Sequence, residues 1–151
     1  MRRKDREIKS KEEIEDIIRK ALVCRLGMAD ENGPYIVPLS FGYIDGFLFF
    51  HSAKEGKKLD ILKKNNRVCF EMDTFDVIVE SEKACDWGMK YKSVIGFGNA
   101  FIVKDIESIK AALDVIMAHY STGSFEYDQK KLERTVVIKV EIEHMTGKKK
   151  G

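Results

Sequence analysis

His51-Ser52-Ala53-Lys54-Glu55-Gly56-Lys57-Lys58 is the stretch whose residue types could do chemistry. It leaves an apolar, strand-like run, turns through small residues, and enters a helical pattern with Lys57 and Lys58 in the first turn. Cations oppose the helix dipole at that end, where carboxylates are preferred. Unpaired N–H groups, two ammonium groups and the Ser52 hydroxyl together suit a phosphate. The same lysines would equally serve as the solvated face of a surface helix. The spacing is not that of a P-loop, because His51 stands where the first glycine is needed and Lys58 where Ser or Thr is needed.

A second stretch runs from Tyr91 through Lys92, Ser93, Gly96 and Gly98 to Ala100. Gly96 and Gly98 share one face of a strand, leaving room for a flat group, for another backbone, or for a tight bend. Ser93 and Lys92 could bring a further hydroxyl and cation to a phosphate. Other side-chain chemistry is sparse. His51, His119 and His144 are scattered, and His119 on an apolar helix face fits a partly buried structural residue. No H-E-x-x-H, G-x-S-x-G or paired-carboxylate pattern is present. Cys24, Cys69 and Cys85 are odd in number and far apart, and read as small core residues rather than nucleophiles or metal ligands. An enzyme built on this chain would need a cofactor for the hard chemistry.

Several elements must position these residues. Ser10-Lys11-Glu12-Glu13 is a capping box, followed by Ile14, Ile17, Ile18, Ala21 and Leu22 on one helical stripe. Strands are predicted over 23–28, 35–44 and 47–50, joined by Asp30–Gly33 and Asp45-Gly46 turns into a meander. Pro38 marks an edge, a bulge, or backbone that faces something other than a strand. A short helix over 57–64 follows, then strands over 67–73, 77–80 and 91–104. Asp105 caps a helix carrying Ile106, Ile109, Leu113, Ile116 and Met117, and the region ends near Gly123. In the last strand Val136, Ile138, Val140 and Ile142 alternate with Val137, Lys139, Glu141 and Glu143. Six or seven strands mostly in direct succession, with three helices, predict a mainly β fold: an antiparallel barrel with peripheral helices.

The 151 residues fit a single domain, 1–151, with basic tails at both ends, and a net charge of +2 argues against broad nucleic-acid binding. An amphipathic start without a leader-like apolar stretch, and no run of the ~20 apolar residues that span a bilayer, predict a cytoplasmic protein away from membranes.

Met1–Ile8, Pro34–Tyr43, Phe50–Lys58, Tyr91–Gly98 and Met145–Lys148 together resemble the pyridoxamine 5′-phosphate oxidase-like flavoproteins, nearest the branch that contains the nitroimidazole-resistance proteins. The resemblance implies a split β-barrel homodimer with FMN at the subunit interface. It places Val37, Pro38, Leu39 and Ser40 along the isoalloxazine, and His51, Ser52 and Ala53 at the strand end beside the flavin and its phosphate. Lys57 and Lys58 would hold the phosphate, Ser93 and Lys92 would assist, and Trp87 and Tyr91 would come from the partner subunit to cover the ring. His51 would place substrate or supply a proton. The Arg-x-His pair of true pyridoxamine 5′-phosphate oxidases is missing from Val140–Gly147, so that activity is not expected. Reduction of a nitro compound or quinone, with NAD(P)H as donor, is the implied reaction. The alternatives are a non-catalytic flavin-binding or redox-sensing module, a split barrel using haem or deazaflavin, and a basic interaction domain without cofactor.

Overall fold

The computed structural model describes residues 1–151 apart from the side chain of Asp76. The first helix, α1 (Lys11–Lys20), starts where Ser10 Oγ accepts a hydrogen bond from the Glu13 N–H at 3.3 Å. The carboxylate of Glu13 turns to Lys149 Nζ, 2.7 Å away. Ile14, Ile17, Ile18 and Ala21 are buried, whereas Leu22 lies beyond the helix end and is 73% exposed, contrary to the stripe predicted for it. Once helical φ/ψ stops at Lys20, the i+8 position no longer faces the core.

Eight strands form one antiparallel sheet: β1 (Glu7–Ile8), β2 (Cys24–Asp30), β3 (Gly33–Leu39), β4 (Gly42–Ile44), β5 (Phe47–Ala53), β6 (Arg67–Val79), β7 (Gly88–Val103) and β8 (Thr135–Lys150). The order is β3-β2-β6-β7-β8-β5-β4, with β1 on β8. Helices α2 (Lys57–Lys64), α3 (Ile106–Tyr120) and the short α4 (Gln129–Glu133) complete the chain. The mainly β, antiparallel class predicted from the residues is the observed one, and its unclosed sheet is the split barrel that the resemblance implies. Strand and helix numbers are each one higher than expected, through the two-residue β1 and the five-residue α4.

The predicted meander is not formed. Residues 35–44 are two strands, because the chain leaves the sheet at Ser40 and Phe41 and returns on its far side. There β4 pairs with β5 through the Asp45-Gly46 turn, whose residues adopt φ 47° and 84°. Phe41 is fully buried at this crossing, and its N–H donates to Tyr120 Oη at 3.1 Å. The strands predicted over 67–73 and 77–80 are one, β6, with a register shift between Phe75 and Val77. Val137, assigned to the polar face of β8, is buried under α3 with Ile109, Ala112 and Leu132. A helix covering that stretch of sheet removes the face alternation. Of the cysteines only Cys24 is in the core, where burial pushes its thiol pKa up; Cys69 and Cys85 are exposed.

β3 and β4 are the two ends of the sheet, and the barrel stays open between them. Within the sheet β3 pairs with β2 alone, and β2 in turn pairs with β6 over Arg25–Gly27. Beyond β2 and β8, the β6–β7 hairpin projects as an arm with Phe75, Val77, Ile78, Val79, Trp87 and Met89 exposed. Among the described residues no helix is long and apolar enough to cross a membrane.

Candidate functional site

Three pieces of the chain line the open side of the barrel. As an end strand, β3 leaves one row of backbone donors and acceptors without a sheet neighbour. Pro38 sits in this edge strand, where its missing N–H costs little. Val37 and Leu39 pack half-buried against the core, while Pro38 and Ser40 are exposed on the outer side. β5 pairs with β8 over its whole length, but β4 covers only Phe47–Phe49, so Phe50–Ala53 form a second open edge.

The third piece is the start of α2, four residues past the end of β5. Gly56 at φ 139° is its N-cap and supplies no side-chain cap. The leading N–H groups of a helix carry roughly half a positive charge together and need an acceptor. Lys57 and Lys58 flank them, and Lys57 Nζ lies 4.5 Å from the Tyr35 ring centroid on β3. The two open edges and this uncapped, doubly cationic helix start therefore meet at one end of the split.

His51 and Ser52, expected to act together, face opposite ways, as successive strand residues must. Ser52 is buried on the core side and its hydroxyl donates to the Ala53 carbonyl at 3.0 Å. His51 faces the helices and opens onto a cavity of about 330 Å³ shared with Leu113, Tyr127, Lys131, Leu132 and Thr135. Tyr127 Oη donates to Asp114 at 2.7 Å, and burial together with that carboxylate pushes the phenol pKa up to about 12. Tyr127 and Lys131 are neighbours of His51 that no sequence motif marks; only the fold of α4 over β8 brings them there.

The structure does not bring Lys92 or Ser93 of the same chain to Lys57 and Lys58. Ile36, Gly27, Cys69 and Phe97 form one row across four strands. Tyr35, under Lys57, lies one residue to one side of that row and Ser93 four to the other. That is about 17 Å along the strands, in addition to the spacing between strands. Tyr91 is half-buried near the end of β7, and Trp87 is half-exposed on the arm, its indole N–H donating to the Ser81 carbonyl at 2.5 Å. Nor do the two glycines make room for a ligand. A Cβ on Gly96 would run into the Phe70 ring, and one on Gly98 into the Glu141 carbonyl at a register shift. The flat group and the close backbone are the protein's own.

Among the described residues no group of three or more His, Cys, Asp or Glu side chains could hold a metal ion. No curated protein matches the chain. Similarity to solved structures is extensive. One, a candidate 5-nitroimidazole antibiotic resistance protein from Bacteroides thetaiotaomicron, is 36% identical. The match covers 94% of this chain and 85% of that one, with a TM-score of 0.84. The flavocytochrome Anf3 from Azotobacter vinelandii matches at a TM-score of 0.88 and 17% identity, over 100% of this chain and 72% of that one. A FAD-binding protein from Mesorhizobium loti matches at 0.70 and 24% identity, over 97% and 98%. The last two speak for the fold alone. At the level of sequence, the family described as pyridoxamine 5′-phosphate oxidase matches residues 10–149. On that match, which takes in both open edges and the start of α2, the chain belongs to the pyridoxamine 5′-phosphate oxidase family.

Proposed function

We propose that this protein binds FMN along the open side of its barrel, and acts as a homodimeric, FMN-dependent reductase of small molecules. The observation that carries the reading is the uncapped start of α2, with Lys57 and Lys58 beside two unpaired strand edges. A phosphate monoester fits this donor set in charge, since helix N–H groups and two ammonium groups all seek an anion. The free edge of β3 at Val37, Pro38, Leu39 and Ser40 offers backbone groups to the polar rim of a flat heterocycle, and the apolar sides of Val37 and Leu39 support its body.

A bound flavin would supply hydride transfer from NAD(P)H to an acceptor such as a nitro compound or quinone. The family membership and the 36% identical nitroimidazole-resistance candidate support that substrate class. The chain's own contribution is binding and placement. Lys57 and Lys58 hold and neutralise the phosphate. His51 and Lys131, on the cavity beside β5, orient a small acceptor and offer it a proton; Tyr127 stays protonated and bound to Asp114. The outer sheet face, with Ile36, Ile95, Phe97 and Phe101 exposed, is the surface for the second copy. Trp87 on the projecting arm would reach the partner's site.

The decisive experiment is the visible absorbance spectrum of freshly purified protein, followed by release and chromatographic identification of any chromophore. Released FMN supports the reading. A colourless protein that takes up no added FMN overturns it, and a released haem or deazaflavin replaces it. Converting Lys57 and Lys58 together to Ala is expected to weaken FMN binding at least tenfold, since a charge-assisted contact contributes about 1.5–3 kcal/mol. Fluorescence titration with FMN measures this, and an unchanged affinity would remove the phosphate from this end of the barrel.

A further inference from the structure

The β2–β3 hairpin is fastened at both ends by side chains from outside the sheet. At its turn, Lys64 and Asn65, closing α2, reach Glu31 at 2.7 Å and the Ala29 carbonyl at 3.0 Å. At its open end the last rung is Cys24 opposite Leu39. Beyond that rung the two chains part: one arrives from α1 through Leu22, the other leaves for β4 through Phe41. Tyr120, the last residue of α3, stands between them. Its hydroxyl accepts from the Phe41 N–H at 3.1 Å and donates to the Leu22 carbonyl at 2.8 Å. Among aromatic side chains only a phenol can donate and accept at the same atom. The hydroxyl works as one more rung, supplied by a helix.

The end of α3 is pressed against this junction. A Cβ added to Gly42 would overlap the backbone of Val115 and Ile116, so the chain leaving Phe41 lies directly on the helix. The His119 ring is 4.3 Å from the Phe41 ring, and its Nε2–H donates to the Ala21 carbonyl at 2.6 Å. Successive residues of α3 thereby hold successive carbonyls of the α1–β2 link. Phe41 is fully buried, where an N–H without an acceptor is costly. That N–H belongs to the same planar trans unit as the Ser40 carbonyl. Fixing the one fixes the other, which points away from Tyr120.

We infer that Tyr120 is the positioning residue of the split. Its hydroxyl closes the open end of the β2–β3 hairpin and sets the orientation of the Ser40–Phe41 peptide, and with it the rim at Leu39 and Ser40. It acts through the backbone of Phe41 and Leu22 rather than by touching a ligand. The part that this rim plays towards a flavin rests on the function proposed above; the closure of the hairpin does not.

The test compares the full-length wild-type protein with two variants. Tyr120→Phe keeps the partly exposed ring and removes one oxygen. Tyr43→Phe removes a like phenol bond, the one from β4 to Glu15 of α1 at 2.9 Å, and serves as control. Without ligand, the amide resonances of Leu39, Ser40 and Phe41 are expected to broaden or double in Tyr120→Phe, while those of β7 and β8 keep position and width. Tyr43→Phe should leave Leu39 and Ser40 sharp. Unchanged resonances at Leu39 and Ser40 in a folded Tyr120→Phe protein overturn the inference. So does equal broadening throughout β7 and β8, which means a general loss of stability. The flavin readout uses FMN and riboflavin, which lacks the phosphate. Tyr120→Phe is expected to weaken both by the same factor, about fivefold, the size of one ordinary hydrogen bond. Replacing Lys57 and Lys58 by Ala instead weakens FMN alone. A loss confined to FMN in Tyr120→Phe, or no loss of either, overturns the hold of Tyr120 on the rim. A wild-type protein that takes up neither flavin ends the flavin reading, and the ligand-free resonances then decide the hairpin closure on their own.

Discussion

Arg25 on β2 reaches across to β6 with a single nitrogen, Nη1, set 2.9 Å from Glu71 and 3.0 Å from Asp73. One cation between two carboxylates leaves the pair under-neutralised. Glu71 is the more buried of the two, and desolvation followed by the hydrogen bond with Asp73 raises its pKa above the usual value. A carboxyl that holds its proton more tightly when folded makes the protein more stable as pH falls from neutral through that raised value. Asp5, Asp16, Glu31, Asp105 and Glu143 have the opposite bias: their partners hold their pKa values down, and stability from them is lost as pH drops below the ordinary carboxylate range. Thermal melts between pH 7 and pH 3 are therefore expected to show the melting temperature rise and then fall. In Glu71→Gln the initial rise should vanish while the acid limb stays. None of this was legible from the sequence, because Arg25, Glu71 and Asp73 become neighbours only through the register of β2 on β6. Lys57 and Lys58 were legible, since helix start and cations lie next to each other in the chain.

Local elements were legible wherever turn chemistry or periodicity was local. Ser10 and Asp105 cap the helices predicted for them, and the Asp45-Gly46 hairpin forms as its dipeptide requires. The failures are places where a distant segment decides. Residues 35–44 read as one strand, yet the chain crosses the barrel at Phe41. There Tyr120, which also donates to the Leu22 carbonyl at 2.8 Å, takes up the Phe41 N–H that no strand pairs. Gly96 and Gly98 of β7 were open to three readings, and only the neighbours choose. Gly98→Ala would press a methyl group on the Glu141 carbonyl, which belongs to the β7–β8 ladder and has nowhere to move. A loss of about 1–3 kcal/mol is expected from such overpacking, measured by denaturant unfolding. Gly33→Ala, where nothing lies within 4 Å of an added Cβ but φ is 113°, tests backbone strain without that clash.

At the scale of the whole molecule, the outer face is the surface proposed for a second copy. Ile36, Ile95, Phe97 and Phe101 are exposed across it, and a groove of about 600 Å³ runs between Gly27, Pro34, Ile36, Cys69 and Phe97. Contiguous apolar surface of this kind marks a site of association. Phe97→Asp is expected to convert a dimer into monomers in size-exclusion chromatography with light scattering, while circular dichroism stays that of the folded chain. A wild-type protein that is already monomeric at micromolar concentration would refute the homodimer. The alternation of β7 hinted at this face, but an exposed apolar residue in a strand has no meaning until its neighbours are known.

The sparse attachment of β3 has a consequence for timing. Its hairpin with β2 is joined to the remaining sheet by the pairing of Arg25, Leu26 and Gly27 alone, whereas β7 is laddered along most of its length on both sides. Protection of backbone amides follows the free energy of the smallest opening that frees them. Amides of β3 are accordingly expected to exchange with deuterium earliest among the strands and those of β7 and β8 last, with added FMN slowing β3 selectively. A wall that breathes on one side lets a ligand wider than the resting gap slip in and out, so the rate of exchange at the split would be set by the lifetime of the hairpin rather than by the strength of the phosphate grip.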